Sequence, residues 1–269
     1  MLGFIGVGNM ASAIITGILN KGLYSEKDIK IYDKDTDKYK KFNLTPSESI
    51  KDLCIESDMI FLCVKPQIYT DVLEEISCSV PKELIEKKVF ISIAAGISTS
   101  FICRKLSVKT AVIRVMPNTP LLIGEGASAI CKNEFANDDT FSNVADIFSS
   151  LGVCKKLEED TMNKIIAVNG SSPAYVYLLA KAMCNGALAQ GIQDDILPLI
   201  IQTIIGSAKM MEQSSLTPDQ LIKMVASPNG TTLAALQSFE DDDFCGIVAR
   251  AMQQCTNRAE EIAEEIENN

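Results

Sequence analysis

The chain has 269 residues, a length that suits about two domains, and its 47% hydrophobic and 22% charged content matches a globular enzyme with a core in each half. A net charge of −10, with Lys and Arg scattered, argues against nucleic acid as a partner, because phosphate binding needs clustered positive charge; a small-molecule substrate fits better. Nine cysteines without a C-x-x-C pair, and no histidine, offer no metal-ligand spacing and remove the commonest general acid–base, so reduced thiols in a cytoplasmic protein with no metal are expected.

The apolar stretch Leu2–Leu19 lacks a basic leader and is broken early by Gly6, Gly8 and Asn9, so it reads as strand, turn and helix rather than as a secretory signal. No stretch has the length and purity of a membrane span, and no membrane partner is expected. Short β-branched runs follow in order: Leu2–Ile5, Ile29–Tyr32, Met59–Val64, Val89–Ile93, Ala111–Val115, Ala127–Cys131 and Val153–Leu157. Helical stretches such as Met10–Asn20 and Asp138–Leu151 separate most of them, the second with Gly152 as its expected C-cap. Buried runs alternating with helices predict a doubly wound, parallel sheet over residues 1–157, with mixed or antiparallel edges among the later strands.

From residue 158 strand signals stop, and residues 158–269 read as all-helical. The expected helices are Thr161–Val168, Pro173–Gln190, Ile196–Glu212, Asp219–Ala226, Thr231–Glu240 and Phe244–Ile266. Thr217-Pro218-Asp219-Gln220 carries a capping-box pattern. Pro173–Gln190 is apolar nearly all round, which suits a helical core or a subunit interface. The acidic end, with Glu260, Glu261, Glu264, Glu265 and Glu267, reads as a solvated face.

Gly6-Val7-Gly8-Asn9-Met10-Ala11 is a G-x-G-x-x-A directly after the first strand and opening the first helix. In that context Gly6 permits a tight turn, Gly8 lets backbone approach a pyrophosphate, and Ala11 allows close helix–strand packing. The free amides and positive end of the helix then face the anion. Asp33 ends the second strand, 25 residues after Gly8, where a carboxylate accepts from an adenosine ribose and disfavours a 2′-phosphate. Lys34 beside it suits that phosphate instead, and a plain helix-opening role for Asp33 also fits, so NADH and NADPH both stay open, with Asp33 tilting the balance slightly toward NADH. Two further loops, Cys63-Val64-Lys65-Pro66 and Arg114–Pro120 with Asn118 between prolines, follow strands whose ends share one sheet edge.

In the helical half, Ser227-Pro228-Asn229-Gly230-Thr231-Thr232 joins two helices. Its amides at the start of the second helix make a small anion site, flanked by two threonine hydroxyls. A second polar loop, Asn169–Tyr175, opens the most apolar helix.

The ordered set G-x-G-x-x-A, V-K-P, R-x-M-P-N-T-P, a G-S-x-P-A-Y segment and S-P-x-G-T-T, spanning residues 6 to 236, resembles the pyrroline-5-carboxylate reductases. The resemblance implies an α/β Rossmann domain plus an all-α C-terminal domain that binds substrate and interlocks with a second subunit. Homodimers, often assembled into larger rings such as a decamer, are what it suggests. It implies that NADPH or NADH meets residues 6–11, Asp33, Lys34, residues 63–66, Ala94, Ala95 and Asn118. It further implies that Ser227, Asn229, Gly230, Thr231 and Thr232 receive the substrate, with Thr232 on the ring nitrogen as the catalytic group. Two positions depart from the pattern: Asn229 stands where a glycine is common, and so does Ser172. Asn is the non-glycine residue that best accepts positive φ.

Imine reduction suits a chain without histidine, because a protonated imine already attracts hydride and the protein supplies mainly placement. A β-hydroxy-acid dehydrogenase of similar layout would need a lysine base where this chain has Ala174 and Tyr175. A DNA-binding redox sensor would need a basic recognition helix, and none is present. Reduction of another cyclic imine remains an alternative.

Overall fold

Most of the seven expected runs form strands because they offer apolar residues to both faces of the sheet; the last, at the sheet edge, leaves Val153 exposed. A computed structural model describes residues 1–267. Its strands are β1 (Leu2–Ile5), β2 (Ile29–Tyr32), β3 (Thr45–Pro46), β4 (Met59–Leu62), β5 (Val89–Ser92), β6 (Ala111–Met116), β7 (Gly126–Lys132) and β8 (Gly152–Lys156). They make one sheet in the order β3-β2-β1-β4-β5-β6-β7-β8. All pairs are parallel except β6 with β7, the antiparallel element expected among the later strands.

Alternation explains the near-continuous apolar strands. Phe4, Phe61, Ile91 and Ile113 point to one face, with the helices Asn9–Asn20 and Asp138–Ser149. Their neighbours Ile5, Ile60, Leu62, Phe90 and Val112 point to the other, against Ile50–Glu56, Tyr69–Ser79 and Thr99–Leu106. Both faces are covered, so the central strands are apolar at most positions, with Ser92 and Arg114 as buried polar exceptions. The Phe4 and Phe61 rings stack at 4.4 Å between centroids.

Three expectations need correction, and one strand was missed. The edge strand β3 went unanticipated; two residues carry no periodicity, and Pro46 is tolerated only because the strand is an edge. Gly152 does not cap a helix. The helix stops at Ser149 with Ser150 as its cap, and Gly152 opens β8 at φ 142, where a Cβ would lie 2.0 Å from the Gly126 carbonyl oxygen. The expected helix Thr161–Val168 is instead two 3-10 turns, Glu159–Thr161 and Lys164–Ala167. The acidic C-terminal helix, Phe244–Glu267, is more than a solvated face: Ala259 is buried, Ile266 joins a core cluster, and Glu267 accepts from Ser98 at 3.0 Å and pairs with Arg104.

The chain divides into two compact units: Met1–Pro173 with the segment from Gln254 onward, and Ala174–Gln253. The second holds the helices Leu197–Gln213, Pro218–Val225 and Thr231–Asp241. Thr217 and Gln220 make the reciprocal capping box read from the sequence. Many of its apolar side chains lie bare, among them Tyr177, Leu178, Leu188 and Leu199, each at least 60% exposed. Ser172 starts the helix Ser172–Ala189 without positive φ, so this position does not demand glycine. All nine cysteines are free thiols, and no described helix is long and apolar enough to cross a membrane.

Candidate functional site

The strand order reverses between β1 and β4, and ligands of open α/β sheets bind beyond the strand ends at such a switch point. The G-x-G-x-x-A turn sits there. Gly6 has φ 92, and a Cβ on it would come 2.9 Å from the Cys63 carbonyl carbon, so only glycine lets the two loops approach. Gly8 is the N-cap of Asn9–Asn20, and no side chain caps that helix. Nothing lies within 4 Å of where a Gly8 Cβ would stand. The turn therefore leaves helix amides bare beside open space, a cradle that fits a dinucleotide pyrophosphate. Ala11 is buried at 1% exposure, as close helix–strand packing requires.

A cavity of about 240 Å³ opens beside this turn. It gathers Gly6, Gly8, Asp33, Lys34, Cys63, Val64 and Lys65 from the expected residues. Val7, Asn9, Met10, Ala11, Pro66, Ala94, Ala95 and Asn118 are not in its lining. Val7 is wholly buried, and its N–H donates to Asp33 Oδ2 at 2.7 Å. Asn118 is 7% exposed with both amide groups committed: Nδ2 donates to the Asn169 carbonyl and Oδ1 accepts from the Ala127 N–H. Asn169 in turn donates to the carbonyls of Met116 and Ala127. The two asparagines thus tie the Met116–Pro120 loop to the segment before Ser172.

The cavity also takes in Tyr32, Lys38, Ile68 and Val72, which the sequence reading missed. Lys38 lies in a 3-10 turn, Thr36–Lys41, and its ammonium stands 2.9 Å from each oxygen of Asp33. No motif marks it. Asp33 does not open this turn; Asp35 caps it by accepting from the Asp37 N–H. Tyr39 fixes the Asp33 backbone, its hydroxyl accepting from the N–H and donating to the carbonyl, each at 2.7 Å. Burial pushes the Asp33 carboxyl up, but the N–H groups of Val7 and Asp35 and the Lys38 ammonium outweigh it and hold it below the usual range.

The loop after β4 is braced from beneath. Tyr69 is buried; its hydroxyl donates to the Leu62 carbonyl at 2.7 Å and lies 2.9 Å from Ser92 Oγ, joining the ends of β4 and β5. The loop after β5, with Ala94 and Ala95, turns at Gly96 with φ 76, where a Cβ would meet the Ala263 amide at 3.2 Å.

In the helical unit, the Ser227–Thr232 loop turns at Asn229 with φ 58, the left-handed conformation that asparagine tolerates. Gly230 then caps Thr231–Asp241 with no side-chain hydrogen bond, and its N–H donates to the Ser227 carbonyl at 3.0 Å. The first amides of this helix suit a carboxylate. A larger cavity of about 520 Å³ in the same unit is lined mainly by apolar groups such as Met210, Met211, Leu221 and Met224. Its lining carries no charged group, which suits packing rather than chemistry.

Comparison with known proteins agrees with this geometry. Residues 159–262 match the family model described as pyrroline-5-carboxylate reductase dimerisation, and residues 1–96 the one described as NADP oxidoreductase, coenzyme F420-dependent. The pyrroline-5-carboxylate reductase of Escherichia coli (strain K12) is 33% identical over 267 residues, covering 97% of this chain and 98% of its own. That of Glycine max is 33% identical over 267 residues, with 97% and 96% covered. The crystal structure of Plasmodium falciparum pyrroline carboxylate reductase with NADP bound aligns at a TM-score of 0.88 and 31% identity, covering 97% of each chain. The Streptococcus pyogenes 1-pyrroline-5-carboxylate reductase structure aligns at 0.85 and 30%, covering 97% of this chain and 98% of that one. On full-length similarity of this degree, the chain belongs to the pyrroline-5-carboxylate reductase family.

Proposed function

We propose that this protein reduces Δ1-pyrroline-5-carboxylate to L-proline with hydride from NADPH or NADH. The observation that carries the reading is the open, uncapped helix end at Gly8 beside the switch-point cavity, in a chain similar over its full length to reductases of that name. When bound, the reduced nicotinamide supplies hydride to the imine carbon. The residues of the chain bind and orient. Gly6, Gly8 and the first amides of Asn9–Asn20 hold the pyrophosphate, and Asp33, Lys34, the 63–66 loop, Ala94, Ala95 and Asn118 border the rest of the cofactor site. The amides of Asn229–Thr232 fix the substrate carboxylate, and Thr232 holds or protonates the ring nitrogen, a role that needs no histidine.

The working unit is a homodimer built through the helical domain, residues 158–269, and assembled further into a ring such as a decamer in the cytoplasm. Support comes from the bare apolar side chains of that half and from the dimerisation family model over residues 159–262. The test is the initial rate of NADH and NADPH oxidation with Δ1-pyrroline-5-carboxylate, for the wild type and Thr232→Ala. Turnover that falls steeply in Thr232→Ala, with cofactor affinity kept, supports the assignment. Equal loss in both refutes the role of Thr232. No turnover by a folded protein that binds cofactor, but activity on another cyclic imine, would redirect the substrate.

A further inference from the structure

Asp33 occupies the position from which an acidic side chain would read a ribose 2′-hydroxyl, yet its carboxylate is already fully engaged. Oδ2 accepts from the Val7 N–H at 2.7 Å, Oδ1 from the Asp35 N–H at 2.9 Å, and Lys38 Nζ lies 2.9 Å from both oxygens. A carboxylate offers about four lone-pair sites, and these four contacts take them all. The Val7 and Asp35 contacts are backbone amides fixed by the turn; the Lys38 contacts belong to a side chain that is 36% exposed. No acceptor is left for a 2′-hydroxyl while Lys38 stays in place.

The charge balance points the same way. The charged groups lining the cavity are Asp33, Lys34, Lys38 and Lys65. The cavity therefore holds one carboxylate and three ammonium groups, of which Lys38 contacts Asp33. Asp35 and Asp37, the nearby acids on the same turn, are exposed and not in the lining, and Asp37 pairs with Lys40 at 2.6 Å. An ammonium has three protons. Lys38 spends two on Asp33 and keeps one for an incoming oxyanion.

We propose that Lys38 determines the cofactor's phosphate preference, saturating Asp33 and, with Lys34, drawing the 2′-phosphate of NADPH into this cavity. The inference rests on the dinucleotide reading above but not on the identity of the substrate. Lys38 acts by filling the acceptor that would otherwise favour NADH and by cancelling the charge that would repel NADPH.

The test is calorimetric titration of the full-length protein with 2′,5′-ADP and 5′-AMP, adenosine fragments that differ in the 2′-phosphate. Wild type should bind 2′,5′-ADP the more tightly, and raising salt should narrow the gap. Lys38→Met should lower the affinity ratio at least about tenfold, the loss of one charge-assisted contact, while Lys38→Arg should keep most of it. Asp33→Asn, which removes the charge but keeps an acceptor for Val7, should raise the ratio. An unchanged ratio in both Lys38→Met and Asp33→Asn, or a wild type that prefers 5′-AMP, overturns the proposal. Failure of the folded wild type to bind either fragment would overturn the dinucleotide reading itself, and this inference with it.

Discussion

Arg114 and Glu159 form an ion pair whose two halves differ in burial, and that difference predicts unequal consequences of removing each. Arg114, on β6, has a side chain 6% exposed; Nη1 donates to Glu159 Oε1 at 3.2 Å and Nη2 to Asn163 Oδ1 at 3.1 Å. Glu159 is 33% exposed and also accepts from the N–H and hydroxyl of Thr99, at 2.7 and 2.6 Å, at the start of the helix Thr99–Leu106. Glu159→Ala leaves a buried guanidinium with one neutral acceptor and strips the Thr99 amide, a cost of about 3 kcal/mol. Arg114→Met keeps an apolar stem in the same space and leaves Glu159 hydrated and bonded to Thr99, a cost of about 1 kcal/mol. For a unit of this size the gap corresponds to roughly 4–8 °C in melting temperature. Melting should be compared at a single protein concentration, because self-association adds a concentration-dependent increment. Glu159→Ala made in the Arg114→Met background should cost less than in the wild type. Equal losses from the two single changes, or strict additivity in the double, would refute the argument from burial.

Gly8→Val should leave the melting temperature nearly unchanged, since φ is −79 and no atom lies within 4 Å of the new Cβ, while cofactor binding measured by fluorescence titration falls at least about tenfold. Retained binding would show that this turn does not meet the cofactor. Tyr69→Phe removes a hydroxyl with two buried partners and should cost about 1–3 kcal/mol in thermal unfolding, with a higher KM for cofactor because the Leu62 carbonyl anchors the 63–66 loop. A stability loss with unchanged KM would mean the brace serves folding alone. Cys54 and Cys131 are 1% and 2% exposed, and burial pushes both thiols up to about 12. At neutral pH a thiol reagent should therefore modify exposed Cys78 quickly and these two only on unfolding; early labelling of Cys54 would count against the packed core.

Local signals were enough for the repeating parts of this protein. Apolar runs such as Met59–Leu62 and Val89–Ser92 name strands because both faces of the sheet are covered, and period and length survive in any tertiary setting. The turn at Gly6 and Gly8, the capping box at Thr217 and the left-handed Asn229 were legible for the same reason: each is a demand the backbone makes within a few residues. Lys38 was not legible, because a lysine in a polar turn looks like any solvated lysine until the fold swings that turn over Asp33. Nor was the engagement of Asn118 with Asn169, 51 residues away, or the anchoring of Glu267 beside Ser98, 169 residues away. Sequence alone marked most of the strands and helices, though not β3 or the 3-10 turns at Glu159–Thr161 and Lys164–Ala167, and it marked which loops carry the glycine and threonine signatures. Only the tertiary structure decided which charges neutralise one another and which amides remain free, because hydrogen-bond capacity is spent among neighbours in space, and distance along the chain does not record them.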